Sequence, residues 1–319
     1  MKYVLYAGLA VLWAASCKKE TLLLPVFREL ARPVESEITA LWFVDSLHGV
    51  ATGGTLWAQG FILSTADGGS SWQTDTLLDN KMEYVMFDRK GQGYVCGLNG
   101  LALHRPPGAR HWQVFRVDWS WHRACFFPDE RSGIIVSGEG YRGGQARNFG
   151  PEAFWLLDTV QLFPNELHTV WFSDSLTAHA AGYGWMMRSD DAGRHWQRLK
   201  APGDFYRSLH FPSPLTGFVC GSNGTLLKTT DGGRSWHTLR EGGIGGRRYK
   251  PFRAIWFADE QQGWVVGEEG LFWMTYDGGE HWTPLAGVPA AVNFTDVFVV
   301  DGRGWLSSDD GRIFYFEWQ

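Results

Sequence analysis

Residues 253 to 285 read RAIWFADEQQGWVVGEEGLFWMTYDGGEHWTPL, and they are one of the two clearest copies of a repeated unit that predicts the fold. Residues 207 to 239, RSLHFPSPLTGFVCGSNGTLLKTTDGGRSWHTL, align with it without a gap from the arginine to the leucine. Each stretch contains a short apolar strand that ends in an aromatic residue, a strand bounded by glycines, and a glycine turn that closes on tryptophan. A unit this short cannot cover its own apolar faces, so we expect copies of it to pack against one another.

The same unit recurs along the whole chain. If the last aromatic residue of the first strand is the marker, the copies lie at Phe43, Phe87, Phe127, Phe172, Phe211 and Phe257, with Val299 at this place in the seventh. The markers are 39 to 46 residues apart, which is the length of one four-stranded blade. We therefore predict an all-β fold, a seven-bladed β-propeller.

Composition and charge agree with this fold and exclude several functions. The 319 residues include 40 Gly, 18 Trp and 21 Phe, as expected for many short strands between turns. The net charge of −5 excludes non-specific electrostatic binding of nucleic acid over the protein surface, so no nucleic-acid partner is predicted. No Cys/His spacing resembles a zinc site, and neither a metal nor a cofactor is predicted. Cys96, Cys125 and Cys220 are interpreted as core residues.

The turn between the third and fourth strands carries the most specific motif, Ser/Thr-x-Asp-x-Gly-x-x-Trp. An Asp carboxylate can accept N–H groups of its own turn, Gly can adopt positive φ, and Trp can pack over the hairpin, so we predict a structural role. A calcium site is the alternative, but each turn has few carboxylates and lacks a bidentate Glu. The motif residues are Asp67 and Trp72, Asp191 and Trp196, Asp231 and Trp236, and Asp277 and Trp282.

This motif resembles the Asp box, or bacterial neuraminidase repeat. Among Asp-box families, the run from Gly263 through Trp282 is most similar to the photosystem II assembly and stability factors. The resemblance implies a compact seven-bladed propeller that acts as a non-catalytic, monomeric scaffold for a membrane protein complex. It also implies that an arginine-rich patch on the propeller meets the partner.

Two parts of the repeat are irregular. The seventh copy ends at its third strand, so we predict that the apolar run Thr21 to Phe27 supplies the fourth strand of the last blade and closes the ring. The third copy lacks an Asp box and carries a Gly- and Arg-rich segment, 141 to 153, which is interpreted as an inserted loop. Such a loop is either tolerated surface or a binding element.

The N-terminus is typical of an export signal. Lys2 precedes an apolar run too short to span a bilayer, and Ala14-Ala15-Ser16-Cys17 resembles the lipobox of bacterial lipoproteins. The resemblance implies a cleaved signal over residues 1–16, a lipid on Cys17, an anchor and linker over 17–20, and one propeller domain over 21–319. Lys18 after the cysteine favours the outer membrane of a Gram-negative envelope. An ordinary secretory signal is the alternative.

A candidate binding site follows from repeat phase. Four residues before the markers lie Thr39, Glu83, Arg123, His168, Arg207, Arg253 and Thr295, and equivalent positions of a propeller form a ring near its central channel. Arg123, His168, Arg207 and Arg253 would form a basic arc on four consecutive blades, which Arg247 and Arg248 could extend. The arc could bind a carboxylate, a phosphate or an acidic peptide, or each Arg could pair with a local carboxylate.

An enzyme is the second functional hypothesis. Sialidases hold the substrate carboxylate with arginines and use a Tyr activated by a Glu, and this chain has arginines enough for a superficial match. However, sialidases usually have six blades, and we find no early arginine motif of their kind. We therefore predict a lipid-anchored binding or assembly scaffold of the cell envelope with no catalytic residues, and we keep a sialidase-type glycosidase or glycan-binding propeller as the alternative.

Overall fold

The computed structural model of the protein describes residues 26–129, 132–139, 142–149, 157–243 and 250–317. None of these residues belongs to a helix that is long and apolar enough to cross a membrane. Their strands, in chain order, are β1 (Val26–Ala31), β2 (Ile38–Phe43), β3 (Gly49–Thr55), β4 (Gln59–Thr65), β5 (Gln73–Leu78), β6 (Met82–Phe87), β7 (Gly93–Gly97), β8 (Leu101–Arg105), β9 (Gln113–Arg116), β10 (His122–Asp129), β11 (Ser132–Glu139), β12 (Arg142–Phe149), β13 (Leu157–Phe163), β14 (Leu167–Phe172), β15 (Ala178–Gly182), β16 (Met186–Ser189), β17 (Gln197–Arg198), β18 (Tyr206–His210), β19 (Gly217–Gly221), β20 (Leu226–Thr229), β21 (His237–Arg240), β22 (Phe252–Phe257), β23 (Gly263–Gly267), β24 (Phe272–Thr275), β25 (Thr283–Pro284), β26 (Phe294–Val300), β27 (Arg303–Ser308) and β28 (Ile313–Glu317).

These strands form seven antiparallel sheets of four strands, one for each copy of the repeat. Blade 1 contains β2 to β5, blade 2 β6 to β9, blade 3 β10 to β13, blade 4 β14 to β17, blade 5 β18 to β21 and blade 6 β22 to β25. Blade 7 contains β26, β27, β28 and β1. The predicted all-β, seven-bladed propeller is confirmed.

The closing strand of blade 7 comes from the N-terminal part of the chain, as predicted. β1 pairs antiparallel with β28, and the Phe27 ring stacks on Phe314 at 5.4 Å. In the described part this strand shares Val26 and Phe27 with the predicted run and continues to Ala31, while residues 21–25 lie outside the described part. The domain limits at 21 and 319 also lie outside it and stay a prediction.

The interpretation of residues 141 to 153 as an inserted loop was wrong for residues 142–149. These residues form β12, which pairs with β11 on one side and β13 on the other. The strand lacks the expected apolar alternation because Arg147, only 7% exposed, takes the place of an apolar side chain. Its guanidinium forms an ion pair with Asp118 and donates a hydrogen bond to Ser137 at 3.1 Å.

Neighbouring blades are joined by stacked aromatic rings. In blades 1, 3, 5 and 6, the marker residue at the end of the first strand lies flat against an aromatic side chain from the second strand of the preceding blade. The ring centroids are 3.5 Å apart for Phe257 and Phe218, 3.8 Å for Phe43 and Trp305, 4.2 Å for Phe127 and Tyr94, and 4.3 Å for Phe211 and His179. Burial of these rings supplies much of the free energy that holds the blades together. Cys96, Cys125 and Cys220 are buried thiols in this core.

Each Asp box is a turn closed on itself by its own side chains. In blade 5, Asp231 accepts hydrogen bonds from the Ser235 N–H at 3.0 Å and the Thr229 hydroxyl at 2.8 Å, and the Gly233 N–H donates to the Thr229 oxygen at 2.9 Å. The hydrogen bonds that Asp231 accepts lower its pKa to about 2 against the effect of burial, which alone would raise it. The boxes at Asp67, Asp191 and Asp277 repeat this pattern.

The propeller has two different faces. The Asp-box turns contact the turns between first and second strands, as in the hydrogen bond from the Gly232 N–H to the Leu215 carbonyl at 2.9 Å. The connections between blades lie on the opposite face, beside the turns between second and third strands. There the Leu98 N–H donates a hydrogen bond to the Lys81 carbonyl. We call this second face the mouth face, because the first strands begin there.

Candidate functional site at the channel mouth

The ring of residues predicted from repeat phase lies around one cavity. Each of the seven is the second residue of the first strand of its blade, and all of them line a cavity of about 370 Å³ in the centre of the propeller: Thr39, Glu83, Arg123, His168, Arg207, Arg253 and Thr295. The sheet register shifts at this position in every blade. Such a bulge leaves one residue unpaired and redirects its side chain, which explains why the ring residues face the channel.

Aromatic side chains form the floor of the cavity. The Trp256 ring contacts Trp42 at 6.1 Å, Trp171 at 6.0 Å, His210 at 4.1 Å and Phe298 at 4.4 Å. These residues come from four other blades, so their contacts cross the channel. The cavity is therefore a cup with polar walls that opens towards the mouth face.

Two arginines of the predicted arc are held by carboxylates. Arg123 forms ion pairs with Glu166 at 2.9 Å and with Glu83 at 3.3 Å. Arg253 forms an ion pair with Glu268 in the turn between the second and third strands of its own blade. For these two residues, the structure shows the local pairing that the sequence left open.

Arg207 differs from the other two arginines. Among the described residues, no carboxylate oxygen lies within 4.0 Å of its guanidinium, which is packed over the Phe205 ring at 4.6 Å. Its Nε is buried and has no hydrogen-bond partner there. Burial, followed by the nearby charge of Arg253, lowers the pKa of Arg207 to about 10, so the side chain remains a cation at neutral pH. A partly desolvated cation of this kind favours an anion as its partner.

His168 lies between Arg207 and the carboxylates, but it does not add a charge to the arc. Burial lowers the pKa of His168 to about 4 despite its hydrogen bond to Glu166, so the ring is neutral at neutral pH. Its Nδ1 donates to Glu166 at 3.0 Å, and its Nε2 accepts from Arg207 at 3.4 Å. The arc therefore carries three charged arginines instead of four basic residues, and one of them, Arg207, has no carboxylate partner among the described residues.

The remaining predicted residues lie elsewhere. Arg247, Arg248 and Cys17 lie outside the described residues. Lys250, next to them in sequence, donates to the Glu269 carbonyl at 2.7 Å. Within the described part of the chain, no group of three or more His, Cys, Asp and Glu side chains could hold a metal ion.

The sequence interpretation missed the outer wall of the cup. The residue two places before each ring position is Glu37, Lys81, Trp121, Glu166, Phe205, Pro251 or Asn293. Glu166 is 2% exposed and binds both Arg123 and His168, while Lys81 binds Glu37 at 2.7 Å. Reading the repeat two residues further upstream would have found this layer.

A deeper carboxylic acid, Asp296, was also missed. Burial raises its pKa to about 7, although its oxygens accept hydrogen bonds from the N–H groups of Leu41 and Val297, each at 2.9 Å. It lies one residue beyond the ring position of blade 7, among the residues that line the cup. A group that carries a proton near neutral pH therefore lies below the arginines.

A model of the family described as photosynthesis system II assembly factor YCF48 matches residues 194–294. The photosystem II assembly protein Ycf48 of Thermosynechococcus vestitus is 28% identical over 197 residues, which are 53% of this chain and 51% of that protein. Over part of its length, the sequence of this chain is therefore similar to that of a photosystem II assembly factor. The matched part spans about half the length of that relative.

Solved structures of other propellers have the same fold as this chain. A structure titled YCF48 bound to D1 peptide has a TM-score of 0.69 at 17% identity and covers 92% of this chain and 96% of its own. YCF48 from Cyanidioschyzon merolae has a TM-score of 0.67 at 13% identity, with 91% and 98% covered. The WD40 propeller domain of Doa1 has a TM-score of 0.70 at 11% identity, with 92% and 97% covered. Identities this low show a shared architecture, and function is argued from the site.

Proposed function

We propose that this protein is a non-catalytic binding scaffold that holds an acidic segment of a membrane protein complex at its channel mouth. The observation that carries the proposal is Arg207, a partly desolvated cation without a carboxylate partner in the described structure, in a cup with an aromatic floor. A guanidinium there can form paired hydrogen bonds with a carboxylate that enters from the mouth face.

The comparisons support the class of partner. The relative that matches this sequence is a photosystem II assembly protein. One of the solved structures with a similar fold is titled YCF48 bound to D1 peptide. A rigid ring of stacked blades suits such a role, because it presents fixed groups to a partner segment without rearrangement. We propose that this chain also binds a polypeptide, as a monomer.

We further propose that the propeller is exported and attached to the cell envelope by a lipid on Cys17. The support is the sequence Ala14-Ala15-Ser16-Cys17 after a short apolar run. Anchoring would keep the propeller near membrane partners and raise their effective concentration. Mass spectrometry of the mature N-terminus tests this proposal, and an unmodified Cys17 would contradict it.

The channel chemistry supports a non-catalytic assignment. Tyr84 is the tyrosine that lines the cup, and burial, followed by the charge of Asp296, raises its pKa well above the ordinary value. A tyrosine with a raised pKa is a poor nucleophile, whereas sialidase-type chemistry needs an activated one. This assignment would be overturned if the wild type hydrolysed members of a sialoside panel and the Arg207→Glu variant did not.

The experiment that tests the binding site is a charge reversal with a matched control. Arg207→Glu is compared with Arg234→Glu, which makes the same change in charge on the exposed Asp-box face. Full-length protein is crosslinked in the native host and recovered from membranes, and its partners are identified by mass spectrometry. We expect Arg207→Glu to lose the membrane partner that the wild type and Arg234→Glu recover. Equal recovery by both variants would refute the channel-mouth site.

A further inference from the structure

Exposed aromatic side chains lie beside the cup on the mouth face. Trp57 is 63% exposed, Leu56 next to it is 49% exposed, and Trp119, in the connection between blades 2 and 3, is 74% exposed. Trp121 lies in the same connection, and its ring contacts the Trp57 ring edge-on at 5.8 Å. We call Leu56, Trp57, Trp119 and Trp121 the tryptophan rim. Large apolar groups gathered on a surface mark interaction sites more often than single exposed residues do.

The backbone at Trp57 is strained. β3 and β4 form a hairpin that extends to the pair Thr55 and Gln59, and three residues join the strands. The middle one, Trp57, has a φ of 58°, in the left-handed region that favours glycine. A bulky, exposed side chain at such a position contributes little to the core of the fold. Strain of this kind is concentrated at functional sites, so it is an observation independent of exposure that favours a binding role for Trp57.

A continuous series of contacts connects the rim to the cup. Trp121 packs against the Arg123 guanidinium, with 5.0 Å between the Arg123 Cζ and the ring centre. Arg123 forms an ion pair with Glu166 at 2.9 Å. Glu166 accepts a hydrogen bond from His168 at 3.0 Å, and His168 accepts one from Arg207 at 3.4 Å. The rim is therefore continuous with the proposed anion site. One bound segment could contact both.

We propose that the tryptophan rim binds an apolar side chain of the same partner segment whose acidic group enters the cup at Arg207. The ligand is thus a peptide with an acidic group and a leucine-like or aromatic residue at a fixed spacing. This inference rests on the proposed function and adds the second half of the recognition element. It also assigns the mouth face to the partner.

Charge favours a peptide over a lipid surface. Arg207 lies in a recessed cup, which an extended chain can enter but a flat array of headgroups cannot. Arg207 has no carboxylate partner in the described structure and so complements an acidic chain. The cations next to the rim are already paired, Arg123 with Glu166 and Arg116 with Asp79 at 3.7 Å, so the rim itself offers apolar surface rather than charge to lipid headgroups. The net charge of −5 opposes binding to an anionic membrane.

The test uses a defined set of fluorescein-labelled ten-residue peptides. Each carries one Asp-Asp pair and one Leu, separated by one to seven Gly or Ser residues, and a second set has Ser in place of Leu. Fluorescence anisotropy with the wild type should show about tenfold tighter binding for the Leu peptide at one or two spacings, as expected for one buried leucine.

Trp57→Gly should abolish this gain while the melting temperature stays equal or rises, because glycine adopts the left-handed conformation without strain. The matched control is Leu176→Ser, which removes a 56% exposed apolar side chain from the Asp-box face and should keep the gain. The Arg207→Glu variant should bind none of the acidic peptides, whether or not they contain Leu.

The outcomes separate this inference from the proposed function. If acidic peptides bind through Arg207 equally well with Leu and with Ser at every spacing, the rim proposal is overturned and the anion site remains. If no peptide binds the wild type, the anion site fails and the rim proposal fails with it. If peptides show no preference for Leu but sedimentation with phosphatidylglycerol vesicles depends on Trp57, the rim binds lipid and the inference is wrong.

Discussion

Replacement of Arg207 by methionine should stabilise the protein while it abolishes binding of an acidic partner. Burial and the nearby charge of Arg253 lower the pKa of Arg207 from its ordinary value to about 10 in the folded protein, which corresponds to a penalty of about 3 kcal/mol for the charged form. The side chain regains about 0.5–1 kcal/mol over the Phe205 ring and about 1 kcal/mol from its hydrogen bond to His168. Methionine keeps most of the volume without the charge, so we expect a net gain of about 1–2 kcal/mol.

The measurement is urea unfolding at pH 7, followed by tryptophan fluorescence, with calorimetry as a second readout. A gain of this size raises the melting temperature by roughly 3 °C in a chain of this length. A site that is more stable without its cation is typical of groups kept for binding rather than for folding.

Arg123→Met is the matched comparison and should have the opposite effect. It removes the Arg123 cation from the carboxylates of Glu83 and Glu166, 12% and 3% exposed, although Glu83 keeps a longer contact with Lys81 at 3.9 Å, and loss of this buried ion pair costs about 3–5 kcal/mol. If Arg207→Met instead lowers the free energy of unfolding by more than about 1 kcal/mol, Arg207 is a structural residue and the reasoning is refuted.

Three further predictions concern the boxes, the buried acid and the blade contacts. Asp231→Ala removes the acceptor of the Ser235 N–H and should lower the unfolding free energy by about 1–2 kcal/mol in urea; no change would contradict a structural box. Burial raises the pKa of Asp296 to about 7, so the stability from its retained proton is complete below pH 4 and is lost as the pH rises through 7. Relative to Asp296→Asn, the wild type should lose up to about 4 kcal/mol between pH 4 and pH 8 in urea titrations, whereas a constant difference would contradict this pKa. Phe257→Ala removes the ring stacked on Phe218 at 3.5 Å and should cost about 3–5 kcal/mol by calorimetry; a loss below about 1 kcal/mol would show that this contact does not hold the blades.

The repeat was readable from the sequence because each blade is built from local pairings. The four strands of blade 6 lie within residues 252–284, and the turn at Asp277 is closed by hydrogen bonds over two to four residues. Such interactions leave a pattern of fixed spacing. The ring at the channel mouth followed from the same pattern, since equivalent residues of stacked blades have equivalent positions.

The repeat pattern gave a wrong prediction where a blade has a charged residue at a position that is apolar in the other blades. β12 was interpreted as a loop because its sequence lacks apolar alternation, yet the Arg147 and Asp118 ion pair takes the place of apolar packing. The partner of that pair comes from the preceding connection, which a local pattern does not contain. Trp57 was missed for a related reason, because its exposure depends on how far the β3–β4 hairpin extends.

The number of blades, the closure by an N-terminal strand and the identity of the seven ring residues can be predicted from the sequence, because these depend on short-range pairing repeated at a fixed period. The arginine that lacks a carboxylate partner among the described residues could be identified only in the folded protein. Arg123 finds Glu83 from one neighbouring blade and Glu166 from the connection to the next, and Arg253 finds Glu268, whereas Arg207 faces a neutral His168 and the Phe205 ring. Charge balance in the channel depends on distances between side chains from different blades, and those distances exist only after the ring has closed.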